Sequence, residues 1–302
     1  MSLFFRRNVD RSLRWLTALA ALSILLILAI LVGQITYHGW EKVTWEFLIA
    51  PPEKGMTAGG IFPAIFGTAA LVIIMTVFVA PFGVLAAVYF SEYADRASWT
   101  YKLARQAVNN LAGVPSIVFG LFGLGFFVQG VGKHIDRVVY GGSLHYGQPA
   151  LIWAALTLAV LTLPVVIVSV EEALQAVPQT YREASYALGS TKSQTVFRVV
   201  LPHALPGVLT GAILAVSRAA GEVAPILFVG AAYYLPHLPS KLNDQFMELG
   251  YHIFILSTQS PDVDATKPLL YATVLVLLAL TFVLNALAVL IRARMRLAQR
   301  SV

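Results

Sequence analysis

The chain has 302 residues, of which 58% are apolar and only 12% charged, about half the charge of a soluble globular domain. That much apolar surface cannot be hidden in one aqueous core, so lipid must be one of its solvents. A net charge of +6 and a pI near 9.5 would suggest nucleic acid in a soluble protein. Here the basic residues flank apolar runs, as the positive-inside rule requires, and no nucleic-acid partner is implied. Without a single Cys, disulfides and cysteine metal sites are excluded.

Arg6, Arg7, Arg11 and Arg14 precede an apolar run from Leu16 to about Ile35, about 20 residues and long enough to span a bilayer. A signal peptide would need a small-residue cleavage site, and Gln34-Ile-Thr-Tyr37 offers none. An uncleaved first helix with a cytoplasmic N-terminus is expected. Tyr37 to Gly60 reads as an external loop, followed by a second span, Ile61 to Phe90, with Pro81 as a kink. A polar stretch, Ser91 to Gln106, leads to a third span from Ala107 to Gln129. Val131 to Gln148 reads as a second external loop, and a fourth span covers Pro149 to Val170.

Next comes a polar hairpin, Val177 to Pro206. Gln179 to Leu188 has no helix breaker, with Tyr181, Ala184, Ser185 and Leu188 on one face, and Gly189 ends it. Thr191 and Gln194 form a capping-box pattern that opens a second helix with a Val196, Val199 and Val200 stripe. Pro202 and Pro206 are expected to stop that helix. The fifth span, Gly207 to Ala232, is the least lipid-like. Gly207, Gly211, Ala215 and Ala219 recur every four residues, a ladder that admits a close helix partner, one a second subunit could supply. Arg218 and Glu222 share a face one turn apart, beside Gly221 and Pro225, where the helix should bend or unwind. Ionisable groups at membrane depth cost about 2.5–3.5 kcal/mol each. The pair therefore either marks a pathway or ties helices together. Tyr233 to Lys267 reads as external, with Gln245 to Ser257 as a helix lying on the membrane surface. A sixth span, Pro268 to Ile291, precedes a basic tail. Fourteen Lys and Arg fall on the side of the termini and the hairpin, and six on the other. Both ends and the hairpin are thus cytoplasmic.

Glu183-Ala184-Ser185, Gly189 ten residues before Val199, and Val199-Val200-Leu201-Pro202 resemble the EAA loop of ABC-importer permeases. Ser185 stands for Ala and Val199 for Ile. Ser217-Arg218-Ala-Ala-Gly221-Glu222-Val-Ala-Pro225 and Gly113-Val-Pro-Ser-Ile-Val-Phe-Gly120 resemble segments of phosphate ABC-transporter permeases of the PstA type, over roughly Ile61 to the C-terminus. The resemblance implies an all-α membrane protein with six transmembrane helices on a type I ABC importer permease (MetI-like) core, in the bacterial inner membrane. Residues 1–60 would form the N-terminal segment, first helix and loop, and 61–302 the permease core with its coupling hairpin at 177–206. It makes Arg218 and Glu222 candidates for a phosphate route, and Glu183, Ala184 and Gly189 part of the coupling loop. Relatives often place an Arg near the cytoplasmic end of the fourth helix, where this chain has Val168.

Energy must come from elsewhere, because no G-x-x-x-x-G-K-[ST] occurs. Gly189-Ser-Thr-Lys192-Ser193 lacks the glycine before lysine and follows no strand. The resemblance implies two ATPase subunits (PstB-like) that bind ATP and Mg, a second permease subunit (PstC-like) and an external phosphate-binding protein (PstS-like). No cofactor is expected in this chain. Alternatives are a permease for sulfate or molybdate and a gradient-driven secondary transporter, which would carry internal repeats and more buried acids. An enzyme is disfavoured: the six His are scattered, with no HExxH and no paired carboxylates at the midplane.

Overall fold

The computed structural model describes residues 3–53, 58–260 and 263–300. Among them, six helical stretches are long and apolar enough to cross a membrane: Leu13–Lys42, Phe62–Tyr93, Ser116–Val139, Leu151–Gln175, Lys192–Ala219 and Thr266–Met295. The helices that build them are α1 (Leu3–Gly39), α3 (Phe62–Val88), α5 (Ser116–Phe122) with α6 (Lys133–Val139), α7 (Leu151–Gln175), α10 (Leu201–Ala219) and α12 (Val263–Arg300). Shorter helices are α2 (Trp45–Ile49), α4 (Trp99–Ala112), α8 (Gln179–Ala187), α9 (Lys192–Thr195) and α11 (Leu249–Thr258). One small antiparallel ladder pairs β1 (Pro52–Glu53) with β2 (Ala58–Gly59).

The bundle is arranged around α7. Of its most apolar window 67% is buried, against none for α1, and it packs on both α3 and α10. Small residues make those approaches close. A Cβ on Gly83 would lie 2.5 Å from Val166, and one on Gly207 would lie 2.3 Å from Ala173. Gly211 faces Ser169, while Ala215 and Ala219 are buried. The ladder on α10 therefore takes its partner from α7 of the same chain rather than from a second subunit. α1 rests on α12, where the His38 and Tyr271 rings stack at 5.1 Å.

Three boundaries differ from the sequence reading. The third span does not begin at Ala107: α4 ends at Ala112, Pro115 caps α5, and a π-helical stretch, Gly123–Gly132, carries the span on to Val139. Pro115 lacks an N–H and biases Val114 away from helix, so the chain breaks there. Pro202 and Pro206 do not stop the second hairpin helix. It runs from α9 through a π-helical turn, Val196–Val200, straight into α10. Pro202 falls in the first turn after that wide turn, where a missing N–H costs little. The fifth span consequently starts in the hairpin and ends at Ala219, with turns as far as Gly230.

Gln245 to Ser257 is not a surface helix. Phe246, Met247, Glu248, Leu249 and Gly250 are all buried, and α11 packs on α3 and α12. Phe47, Ile61, Ala64 and Ala272 join Met247 and Leu249 in an external apolar cluster. Burying three large apolar side chains contributes about 1.5–3 kcal/mol each, which outweighs whatever a weakly amphipathic helix gains at the lipid surface.

Candidate functional site

Arg218 sits in the last turn of α10, and its Nε donates to Glu222 Oε1 at 3.1 Å. Gly207 opposite Ala173 and Gly211 opposite Ser169 define an antiparallel register between α10 and α7. Extended by two turns, that register brings Arg218 level with residues near 162, halfway along α7. Its side chain is 45% exposed, so the pair joins no two helices of this chain and lies on an open face. The helix unwinds where Gly221 and Pro225 suggested. Gly221 N–H reaches Arg218 O and Glu222 N–H reaches Ala219 O, both short-range turn bonds. On the neighbouring face Ser217 Oγ donates to Asn285 Oδ1 at 2.6 Å, fixing α10 to α12.

Two sequence segments that lie a hundred residues apart meet at this unwound stretch. A Cβ on Gly120 would stand 2.9 Å from Pro225 O and 3.2 Å from Ala224 O. The glycine is what lets α5 touch the carbonyls of the Gly-Glu-x-Ala-Pro segment. From the external side Phe246 closes the other flank: Ala232 N–H donates to Phe246 O at 2.8 Å, and Phe246 N–H to Gly230 O. The Val229 carbonyl in turn accepts from Ala150 N–H at the start of α7. The charged pair thus sits where α10 gives way to irregular backbone held from three sides, the setting in which non-helical chain is tolerated at membrane depth. The sequence reading missed Phe246 and its neighbours. Their burial is permitted by Gly67, whose Cβ would meet Met247 O at 2.0 Å, a contact between segments 180 residues apart that no local pattern announces.

Glu248 caps α11, accepting from Gly250 N–H at 2.8 Å and Tyr251 N–H at 2.6 Å. Burial pushes its carboxyl up to about 7, against those two bonds, which act in the opposite sense. A carboxyl with a pKa higher in the folded chain contributes stability below its unfolded pKa, about 4.3, and that contribution is lost as pH rises through the folded value. Thermal unfolding in detergent should therefore show stability falling between about pH 4.3 and pH 7, by up to about 1.4 kcal/mol per pH unit from this residue, and levelling off above about pH 7. Glu248→Gln should flatten that slope. Parallel slopes in the two proteins would show that Glu248 is not the group responsible.

The hairpin carries the second constellation. The Thr191–Gln194 capping box forms as read, with both reciprocal bonds present, and Val196 and Val200 are buried. The first helix is turned otherwise than its spacing suggested. Tyr181, Ala184 and Leu188 face outward, while Arg182 and Ser185 face the body. The reason is polar: Arg182 reaches three inward acceptors, and Ser185 Oγ pairs with Thr195 Oγ1 at 2.9 Å across the hairpin. That bond gives the serine at the second Ala position of the EAA pattern a local role. Glu183, Ala184 and Gly189 are exposed on the outer side. Gly189 has φ +82° with nothing near its Cβ direction, so the glycine is needed for its left-handed backbone rather than for space.

Between α4, α7 and α10 lies a cavity of about 350 Å³, lined by Asn109, Pro164, Val168, Ser169, Glu172 and Leu214. Leu214 precedes Arg218 by four residues on the same face, so the cavity lies one turn to the cytoplasmic side of the charged pair. Val168 is in its wall, and there the chain presents a valine rather than a cation.

Against known proteins, residues 79–297 match the family of the binding-protein-dependent transport system inner membrane component. The chain is 33% identical over 266 residues to the probable ABC transporter permease protein YqgI of Bacillus subtilis (strain 168), covering 82% of this chain and 85% of that one. It is 34% identical over 231 residues to the phosphate transport system permease protein PstA 1 of Mycobacterium tuberculosis (strain ATCC 25618 / H37Rv), covering 74% and 70%. Among solved structures, a chain of a bacterial alginate ABC transporter superposes with TM-score 0.66 at 13% identity, covering 95% of each. A chain of the inward-facing MetNI methionine ABC transporter superposes with TM-score 0.53 at 21% identity, covering 78% of this chain and 94% of that one. Those two show the fold. With six apolar spans, the hairpin and the matched residues together, the chain belongs to the binding-protein-dependent transport system inner membrane components, as a multi-pass permease subunit of an ABC importer.

Proposed function

We propose that this permease passes phosphate across the membrane along a route that includes Arg218 and Glu222 and continues through the cavity below Leu214. The carrying observation is the pair itself: a guanidinium and a carboxylate, at mid-membrane depth, on an open face. The guanidinium fork can meet an oxyanion with two hydrogen bonds. The carboxylate beside it separates one oxyanion from another. Phosphate keeps a proton at neutral pH and can donate it to Glu222, whereas sulfate and molybdate have only acceptors to bring against a carboxylate. The identity to a phosphate permease of Mycobacterium tuberculosis supports the same choice.

Coupling follows from the hairpin. Leu188 at its tip is 88% exposed, and a large apolar side chain there fits a hydrophobic groove on a partner protein. Of two ATPase subunits that bind ATP and Mg, one docks at this tip and at Glu183, Ala184 and Gly189, and the other receives the hairpin of the second permease chain. A second, related permease completes the route, and an external phosphate-binding protein delivers the anion. Competition tests the specificity directly. Labelled phosphate uptake by the wild-type transporter should withstand a large excess of sulfate, and Glu222→Gln should let sulfate compete. Sulfate competing equally in both would show that Glu222 does not select the anion. Sulfate outcompeting phosphate in the wild type would refute the substrate.

A further inference from the structure

Arg182 is the one cation of the hairpin drawn inward, with only 9% of its surface exposed. Its Nη1 donates to Val177 O at 2.8 Å, and its Nη2 to Leu174 O at 2.9 Å and to Glu92 Oε1 at 2.7 Å. Leu174 lies in the last turn of α7 and Val177 two residues past its end, where a cation also meets the negative end of the helix dipole. Glu92 lies in a π-helical turn, Tyr89–Tyr93, that continues α3. A single planar fork therefore fastens the first hairpin helix to the cytoplasmic ends of both α3 and α7. The second hairpin arm needs no fastener, because it runs on into α10 through the π-helical turn Val196–Val200. Ser185–Thr195 and the Tyr181–His203 ring contact at 4.8 Å hold the two arms together.

We infer that Arg182 is a positioning residue of the coupling machinery, carrying displacement of the hairpin tip into α3 and α7 while backbone continuity carries it into α10. This rests on the proposed docking of an ATPase at the hairpin. Without the Arg182–Glu92 bond the tip still docks and moves with α7 and α10, but α3 no longer follows it. α3 then no longer shifts together with α7 and α10, two of the helices that line the proposed route. π-helical turns at Glu92 and at Val196 suit this arrangement, because wide turns are local weak points in otherwise stiff helices.

The assembled transporter in proteoliposomes tests it through Glu92→Gln, which keeps shape and leaves both carbonyl bonds, and through Arg182→Met. Both should copurify with the ATPase subunit and hydrolyse ATP near the wild-type rate. Phosphate imported per ATP should fall about tenfold, a typical coupling between distant sites. Arg182→Lys, a point charge without the fork, should fall in between. An unchanged ratio in Glu92→Gln, with uptake and hydrolysis declining only in step with the amount of complex, would reduce Arg182 to a structural tie and overturn the inference. The docking reading is tested separately with Leu188→Asp, which should lose the ATPase. An ATPase that stays bound to that variant would overturn docking at the tip, and the inference with it. Should the wild type move no phosphate, spin labels at Ser190 and Val77 read the joint independently of substrate. Nucleotide should leave their separation unchanged in the wild type and alter it in Glu92→Gln; the same separation in both would overturn the inference.

Discussion

Arg218→Ala is expected to lower phosphate uptake by about 100-fold or more, with the complex still assembling. Two charge-assisted hydrogen bonds are removed, each contributing about 1.5–3 kcal/mol where water is scarce. Removing them also strands Glu222, which then faces an incoming anion with no neighbouring cation to balance it. Assembly should survive because the guanidinium is 45% exposed and, among the described residues, bonds only to Glu222, four residues away. Arg218→Lys keeps the charge and loses the fork, so an intermediate loss of about tenfold is expected. Uptake assayed alongside copurification of the partner subunits separates a blocked route from a broken complex. Normal uptake by Arg218→Ala would make Arg218 a bystander.

Gly120→Val should be nearly as damaging, for steric reasons. The Cβ would enter a gap bounded by Pro225 O at 2.9 Å, Phe228 Cδ2 at 3.0 Å and Ala224 O at 3.2 Å. Two of the three are backbone atoms, which cannot rotate away as a side chain can. Overpacking of this kind costs about 1–3 kcal/mol, and a branched side chain belongs at the upper end. The displaced carbonyls lie two and three residues beyond Glu222, so the strain falls on the segment that carries the charged pair. Uptake should drop about tenfold or more, in step with a lower unfolding temperature. Gly125, whose Cβ would have nothing within 4 Å, is the control: Gly125→Ala should transport like the wild type. Equal behaviour of the two variants would mean that α5 does not hold the unwound segment.

What could be read in advance follows from how local each cause is. The Thr191–Gln194 cap, the positive φ at Gly189 and the loss of helix around Gly221–Pro225 depend on a few neighbouring residues, and each was legible. Arg218 and Glu222 are one turn apart, so their pairing needed only helical spacing. Tertiary causes were not legible. Nothing local singles out Arg182, because Glu92, its partner, lies ninety residues earlier in the chain. Leu188 and Tyr181 looked like a packed stripe for the same reason: the inward direction is set by the acceptors for Arg182, not by apolar spacing. Pro202 and Pro206 carried the rule for soluble helices, whereas a π-helical turn and α7 alongside let the helix continue. Gln245 to Ser257, weakly amphipathic, read as a helix on the membrane surface, whereas Phe246 to Gly250 are buried. Their burial depends on Gly67 and Gly230 leaving room, which becomes visible only when three remote segments are brought together.

The most direct measurement is ATP-driven uptake of radiolabelled phosphate into proteoliposomes holding this chain, its second permease, its ATPases and the external binding protein. It is made with wild-type Arg218 and with Arg218→Ala at matched complex content. Saturable accumulation by the wild type that needs ATP and is lost in the variant is the expected result. A fully assembled wild-type complex that hydrolyses ATP and moves sulfate or molybdate but no phosphate would contradict it.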